Sequence, residues 1–131
     1  MEIKEIILKN ILIRYKILEW LYLLNQEDKF TNLGGIINQI GYPKEEILSN
    51  LKFLRDEKLI QYKENINREP IAKGWGTGIK ITDDGQRFIE EIELSKKGRG
   101  KKASQWLLAN ASWIIQYLPQ VIKLIMGGAG N

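Results

Sequence analysis

The sequence predicts a mainly α-helical domain that carries a small β-hairpin (class α+β), followed by one more amphipathic helix. Three observations support this class. Apolar residues recur at helical spacing in three successive segments between residues 3 and 58. Two short segments of alternating apolar and polar residues follow, separated by a polar stretch, as expected for two strands and a long connection. Helical spacing of apolar residues then returns over residues 105–126.

The first two helices are predicted between the N-terminus and a glycine. The first covers roughly residues 11–25, or begins as early as Ile3, and its broad apolar stripe predicts one buried side. After a polar loop, a short second helix is expected at residues 33–40. Thr31 or Asn32 would cap its start and Gly41 would end it.

The third helix is predicted at residues 43–58. Pro43 suits a first helical position because its missing N–H is not needed there, and the glutamates at 45 and 46 complement the helix dipole. A buried face is expected at Ile47, Leu48, Leu51 and Leu54.

The hairpin and a fourth helix come next. Residues 59–62 and 78–82 alternate in the manner of strands. Thr82 is expected to cap the start of the fourth helix, which carries Phe88, Ile89 and Ile92 on one side. The chain therefore divides into a domain at residues 1–95, a flexible linker at 96–104, a C-terminal amphipathic helix at 105–126 and a flexible tail at 127–131.

Positive charge is distributed unevenly along the chain. The whole chain carries a net charge of +4, but residues 1–95 contain 14 Lys and Arg against 16 Asp and Glu, a net charge of −2. Residues 96–131 contain six basic residues and no acidic one. Five of the six form a basic run in the linker, made of Lys96, Lys97, Arg99, Lys101 and Lys102.

The composition argues against catalysis. Without Cys or His the chain has no thiolate nucleophile, no disulfide, and neither of the commonest side chains for metal ligation and general base catalysis. No cluster of Asp, Glu, Lys or Tyr replaces them, so we expect no enzyme, no metal site and no cofactor. The N-terminus lacks the apolar core of a signal peptide, which predicts a cytoplasmic protein, free or peripheral to the membrane.

Two segments carry a resemblance to a known family. Residues 47–60, ILSNLKFLRDEKLI, and residues 79–88, IKITDDGQRF, resemble the junctions on either side of the wing in bacterial and archaeal winged helix-turn-helix transcription regulators. Lys58 stands where those families usually have glycine. The resemblance covers about residues 11–94, and it implies a homodimeric regulator whose third helix enters the major groove of double-stranded DNA.

The resemblance also implies which residues would contact DNA. They are the outward positions of the third helix and the wing: Lys44, Glu45, Ser49, Asn50, Lys52, Arg68 and Lys73. Asn50 would pair with adenine and Lys44 with guanine or a phosphate, whereas Arg68 and Lys73 would reach phosphates or the minor groove. Glu45 would be repelled by phosphate, and only a cytosine amino group would donate a hydrogen bond to its carboxylate.

The predicted surface is poor in positive charge. It contains four cationic side chains, Lys44, Lys52, Arg68 and Lys73, whereas binding driven by counterion release typically uses about 6–10 phosphate contacts. A single domain should therefore bind DNA weakly unless a second copy or the basic run adds charge. The alternative is a winged-helix adaptor that binds a protein partner and is recruited to an anionic membrane surface by the linker and the last helix.

Three roles are open for the C-terminal helix. Its apolar residues at heptad spacing predict a dimerisation face made of Leu107, Ala111, Ile114, Leu118, Val121 and Ile125. The helix could instead pack on its own domain or lie on a membrane, since its polar residues disfavour crossing one. Dimerisation is the first expectation, and Pro119 is expected to kink the helix.

Overall fold

The computed structural model describes residues 2–29, 31–63, 78–98 and 104–127. Within these ranges three helices precede an antiparallel hairpin of two strands, and four helices follow it. This order confirms the predicted mainly helical class. The elements are α1 (Ile3–Gln26), α2 (Leu33–Ile40), α3 (Lys44–Asp56), β1 (Ile60–Lys63), β2 (Gly78–Ile81), α4 (Asp83–Lys97), α5 (Gln105–Asn110), α6 (Ser112–Ile115) and α7 (Leu118–Gly127).

The chain forms two compact units whose limits differ from the predicted domains. Unit 1 comprises Met1–Leu12 and Arg87–Asn131, and unit 2 comprises Ile13–Gln86. Unit 2 holds α2, α3, the hairpin and most of α1. Its buried apolar side chains include Ile17, Leu18, Leu21, Leu33, Ile36, Ile47, Leu51, Leu54, Leu59 and Ile81.

The ends of α2 follow the sequence closely. The Asn32 side chain accepts a hydrogen bond from the Gly35 N–H at 2.9 Å, which satisfies one of the unpaired donors of the first turn. At the other end Gly41 adopts a left-handed conformation, with φ of 79°, and its N–H donates to the Ile37 carbonyl at 3.0 Å. The predicted bounds of this helix are confirmed.

The end of α3 explains one departure from the family pattern. Helix α3 starts one residue after Pro43 and stops at Asp56, two residues before the predicted end. Lys58 then has a φ of 63°, a conformation that favours glycine because a Cβ atom there meets the following carbonyl. The position that is usually glycine in the resembling families therefore keeps its left-handed backbone here with a lysine.

The hairpin gains a third segment that the sequence reading did not include. Strands β1 and β2 pair with Ile60 opposite Ile81 and Tyr62 opposite Ile79. On the other edge of β2, Ile79 exchanges two backbone hydrogen bonds with Thr31, at 2.6 and 3.3 Å. Thr31, two residues before α2, thus adds a bridge to the sheet.

Thr82 ties the base of the hairpin to the end of α3. Its hydroxyl donates to the Lys58 carbonyl at 2.7 Å and accepts from the Gly85 N–H at 3.0 Å, so it caps α4 as predicted. The Thr82 N–H donates to the Leu59 carbonyl at 3.1 Å. Gly85 faces that same carbonyl so closely that a Cβ atom would overlap its oxygen. This set of contacts is called the Thr82 clamp below.

Helix α4 is longer than expected. Phe88, Ile89 and Ile92 are buried on one side, as predicted, but the helix continues through Lys97. Lys96 and Lys97 therefore lie on a helix and not in a flexible linker. Lys96 contacts Glu93, three residues earlier, at 2.6 Å, the spacing that a helix brings together.

The expected single C-terminal helix is three short ones. Ala111, with φ of −145° and ψ of 48°, separates α5 from α6, and residues 116–117 separate α6 from α7. Pro119 falls in the first turn of α7, where its missing N–H leaves no helical hydrogen bond unmade. The predicted kink at Pro119 is therefore wrong: the chain restarts the helix just before it.

The lengths and polar residues of the described helices also decide whether any of them could cross a membrane. Over residues 2–29, 31–63, 78–98 and 104–127, no helix has the combined length and apolar character needed to cross a bilayer.

The left-handed backbone at residue 58 generates a stability prediction. Replacing Lys58 with glycine should raise the free energy of unfolding by about 1 kcal/mol, because an L side chain in this conformation costs about 1–2 kcal/mol and glycine gives back part of that gain as chain entropy. Urea unfolding followed by circular dichroism measures the change. The matched control is Glu57→Gly at φ of −82°, which should lower stability; a loss in both variants would contradict the argument.

The Thr82 clamp generates a second stability prediction. Gly85→Ala should lower the free energy of unfolding by about 1–3 kcal/mol, since the added methyl group must displace the Leu59 carbonyl backbone. Gly98→Ala is the control, because the nearest atom to its added Cβ is a carbonyl oxygen at 3.9 Å. Equal unfolding midpoints for the two variants would show that the close approach at Gly85 is not a constraint.

Candidate nucleic-acid interface

Helix α3 has one buried and one exposed face. Ile47, Leu51 and Leu54 on the buried face have almost no exposed surface. Four of the five residues predicted to contact DNA from this helix are exposed: Lys44, Glu45, Ser49 and Lys52. These four residues form what is called the α3 surface below.

Asn50, the fifth, cannot serve as predicted. Only 1% of its surface is exposed. Its amide nitrogen donates to the Glu46 carbonyl at 2.9 Å, and its amide oxygen accepts from the Arg14 Nε at 2.8 Å. Reading adenine would require the same amide nitrogen and oxygen. The structure therefore places Asn50 away from the exposed side of α3 on which it was predicted, and its amide links α3 to Arg14 of α1.

Arg14 is the partner that holds Asn50. Its guanidinium carbon lies 3.6 Å from the centre of the Phe53 ring, so the cation stacks on one residue of α3 while it donates to another. Burial lowers the pKa of Arg14 from its ordinary value to about 10, and the Glu57 carboxylate partly opposes that shift. The group therefore remains charged at neutral pH. Arg14, Asn50 and Phe53 are called the Arg14 cluster.

A second contact from α1 secures the turn before α3. The Lys16 ammonium lies 5.5 Å from the centre of the Tyr42 ring, within the range of a cation–π contact. Tyr42 precedes Pro43, the N-cap residue of α3. Helix α1 therefore contacts the approach to α3 as well as its middle.

The charges near the C-terminal end of α3 largely offset one another. Arg55 and Lys58 are exposed there, but so are Asp56 and Glu57. The Arg55 guanidinium lies 5.3 Å from the Tyr62 ring centre, and its Nε lies 3.6 Å from an Asp56 oxygen. Arg55 is thus shared between two neighbours within its own unit.

Tyr62 stays neutral beside this pair. Burial raises the pKa of its hydroxyl to about 12, while Arg55 lowers that pKa and Asp56 raises it. Among the described residues its hydroxyl finds no hydrogen-bond partner. A neutral phenol adds no charge to this end of α3.

Several predicted site residues fall outside the described ranges. These are the wing residues Arg68 and Lys73 and three members of the basic run, Arg99, Lys101 and Lys102. The described members of that run, Lys96 and Lys97, belong to unit 1. The α3 surface therefore supplies two described cations, Lys44 and Lys52, of the four that were predicted for DNA.

Most of the predicted dimerisation face is buried in a single chain. Leu107, Ala111, Ile114, Leu118 and Val121 are each at most 1% exposed. Ile125 alone among the six is partly exposed. Within unit 1, Trp113 stacks on Phe88 of α4 with ring centres 5.3 Å apart, and Trp106 lies 5.7 Å from the Arg87 guanidinium. A dimer surface on these residues would first require unit 1 to open.

A polar cavity of about 550 Å³ lies beside the hairpin in unit 2. Its lining includes Asn25, Gln61, Lys80, Asp83, Asp84 and Gln86. The two aspartates would repel phosphate, and the Lys80 ammonium lies 3.9 Å from an Asp28 oxygen. This cavity is not assigned to nucleic acid.

The sequence analysis does not single out Arg14, the residue of α1 that contacts both Asn50 and Phe53 of α3. It lies three residues after Ile11 and four before Leu18, both buried, so its position belongs to the apolar stripe of α1. A cation inside such a stripe signals a buried partner. Asn50 carries the same signal, three residues after Ile47 and four before Leu54.

The Arg14 cluster predicts energetic coupling between α1 and α3. Arg14→Met and Asn50→Ala should each lower the free energy of unfolding. The double variant should lose about 1 kcal/mol less than the sum of the two single losses, because each single change already breaks the hydrogen bond between the two residues. Chemical unfolding of the four proteins measures this. As a control, Lys29→Met combined with Asn50→Ala should be additive, because Lys29 pairs with Glu27 at 2.9 Å. Additivity in the first pair would contradict the coupling.

Comparison with other proteins adds no family to these observations. No protein-family model, curated protein or solved structure gives a significant match to this chain. The assignment of fold therefore depends on the elements themselves. They are mainly helical, with a two-strand antiparallel hairpin after three helices, and this order is consistent with a winged-helix-like arrangement.

Proposed function

We propose that this chain is a winged-helix protein that binds double-stranded DNA through the α3 surface, as a transcription regulator does. The observation that supports this most directly is the division of α3 into a buried and a solvent-exposed side. The Arg14 cluster holds the buried side, and Lys44, Glu45, Ser49 and Lys52 project from the other. A rigid helix with an exposed polar side is what major-groove recognition requires.

The left-handed residue after α3 adds support for the winged-helix part of the proposal. The resembling families usually place glycine there, and Lys58 has a positive φ, the backbone conformation that glycine adopts most easily. The Thr82 clamp then joins β2 to that same turn. The two junctions that carry the sequence resemblance are thus in direct contact.

The charge of unit 2 limits the affinity of one copy. Residues 13–86 contain 11 basic and 11 acidic residues, so attraction to phosphate must come from local arrangement and not from net charge. We therefore expect weak binding by a monomer. A homodimer would double the phosphate contacts, but its interface should be sought away from the buried residues of α5, α6 and α7.

The same neutrality favours a second candidate, a winged-helix adaptor for a protein partner. The α3 surface mixes lysines, a glutamate and a serine. Such a mixture suits the polar rim of a protein interface as well as a base edge. In that case the chain would not bind duplex DNA even at low salt, where non-specific binding is strongest.

Substitution of charges on the α3 surface tests the DNA proposal. Lys52→Gln should weaken binding to random-sequence duplex DNA and reduce the salt dependence by about one phosphate contact. Glu45→Gln should have the opposite sign and tighten binding about fivefold, since it removes a negative charge that faces phosphate. Both are measured by fluorescence anisotropy on the full chain at several salt concentrations.

The control is Lys29→Gln, which changes an exposed lysine in the loop after α1 and should leave DNA affinity unchanged. A gain of affinity in Glu45→Gln cannot arise from misfolding, so its sign is informative. No binding at about 50 mM salt, or no response to Glu45→Gln, would reject the α3 surface as the DNA contact and favour the adaptor.

A further inference from the structure

Exposed apolar side chains concentrate in unit 1. Six large apolar side chains are exposed among the described residues, and one of them, Leu23, belongs to unit 2. The other five belong to unit 1, although it is the smaller unit: Ile3, Ile6, Leu94, Leu108 and Leu124. Their exposure ranges from 44% for Ile6 to 76% for Ile3. Each of these side chains would gain free energy by leaving water for another apolar phase or surface.

The net positive charge of the chain lies in the same unit. Residues 1–12 and 87–131 contain nine Lys and Arg against five Asp and Glu, a net charge of +4, whereas unit 2 has a net charge of zero. Lys97, at the end of α4, and Lys123, on α7, are both exposed. Unit 1 is therefore both the basic and the apolar unit.

Helix α7 shows the two properties side by side. Its buried side is made of Leu118, Val121 and Ile122. Lys123 and Leu124 are exposed on its other side. The helix has 10 residues and is thus about 15 Å long, half the thickness of the hydrocarbon core of a bilayer. Such a helix can lie in the interface of a membrane but cannot cross it.

The pairing of charge with apolar surface discriminates among partners. Duplex DNA would accept the charge, but exposed leucines gain nothing from a phosphate backbone. A second copy would cover the leucines, but it would bring two units of net charge +4 together. An anionic bilayer satisfies both, because its head groups attract lysine while its acyl boundary accepts leucine.

We propose that unit 1 docks on an anionic lipid surface, with Leu108 and Leu124 entering the head-group boundary and Lys97 and Lys123 contacting the head groups. This inference is independent of the DNA proposal, which concerns unit 2. It gives the basic unit a partner that its apolar residues also fit.

Vesicle co-sedimentation of the full chain tests the inference. Vesicles of phosphatidylcholine with roughly one third phosphatidylserine should bind at least about tenfold more strongly than vesicles of phosphatidylcholine alone. Leu108→Ser combined with Leu124→Ser should weaken binding by about tenfold or more. Lys97→Gln combined with Lys123→Gln should weaken it about fivefold for each charge, and less as salt rises.

Matched controls come from unit 2. Leu23→Ser removes an equally exposed leucine, and Lys29→Gln an exposed lysine, so both should bind vesicles like the wild type. All substituted side chains are exposed, and far-ultraviolet circular dichroism verifies that each variant is folded.

Five outcomes would overturn the inference. The folded full chain does not bind the anionic vesicles; it binds neutral vesicles equally well; Leu23→Ser loses as much binding as the double leucine variant; or the double lysine variant loses duplex DNA binding and keeps vesicle binding. A dimer, seen by sedimentation, that the double leucine variant dissociates while vesicle binding persists would also overturn it and identify a second copy. The response of DNA binding to Glu45→Gln is separate from all of these.

Discussion

One cation inside an apolar stripe sets the geometry of unit 2. Arg14 reaches from α1 to α3, where it stacks on Phe53 and donates to the buried oxygen of Asn50. Partial desolvation of a guanidinium is costly, and it is sustained here because a ring face and an amide replace the lost water. The orientation of α3 about its own axis follows from these two contacts. Arg14 therefore helps to decide which side chains of α3 face solvent, although it lies on another helix.

Net charge and exposed apolar side chains are divided unequally between the two units. Unit 2 is neutral and shows one large exposed apolar side chain among the described residues, whereas unit 1 carries the whole net charge and five such side chains. If unit 2 binds DNA as proposed, its neutrality requires that attraction to the polyanion is supplied elsewhere or that recognition depends on shape. A basic and apolar unit makes sense at a charged interface between water and lipid. The two proposals therefore assign each unit the partner that its own surface chemistry fits.

The sequence predicted local features better than the packing between distant elements. Asn32, Gly41 and Thr82 acted as expected because capping depends on residues within one turn of each other. Asn50 is predicted on the exposed side of α3 because the helical pattern is judged from apolar residues only. Its hydrogen-bond partner, Arg14, lies 36 residues away in the sequence. The heptad pattern of the last segment predicts that residues such as Leu107 are covered, first of all by a second copy, and Leu107 is already buried in a single chain. Periodicity shows that a face is covered but not by what, and it could not show the break at Ala111, which is a change in one pair of backbone angles.

The Thr82 clamp has a consequence for how this protein can vary. The Thr82 hydroxyl and N–H hold the carbonyls of residues 58 and 59, so the start of β1 and the end of β2 are fixed to each other by contacts outside the strands, while Lys63 pairs with Gly78 at the other end of the hairpin. The number of residues between Lys63 and Gly78 can therefore vary at little cost to folding, because the free energy of loop closure rises by only about 0.6 kcal/mol for each doubling of loop length. Helix α3, which contacts Arg14 through Asn50 and Phe53, would keep its orientation in such variants.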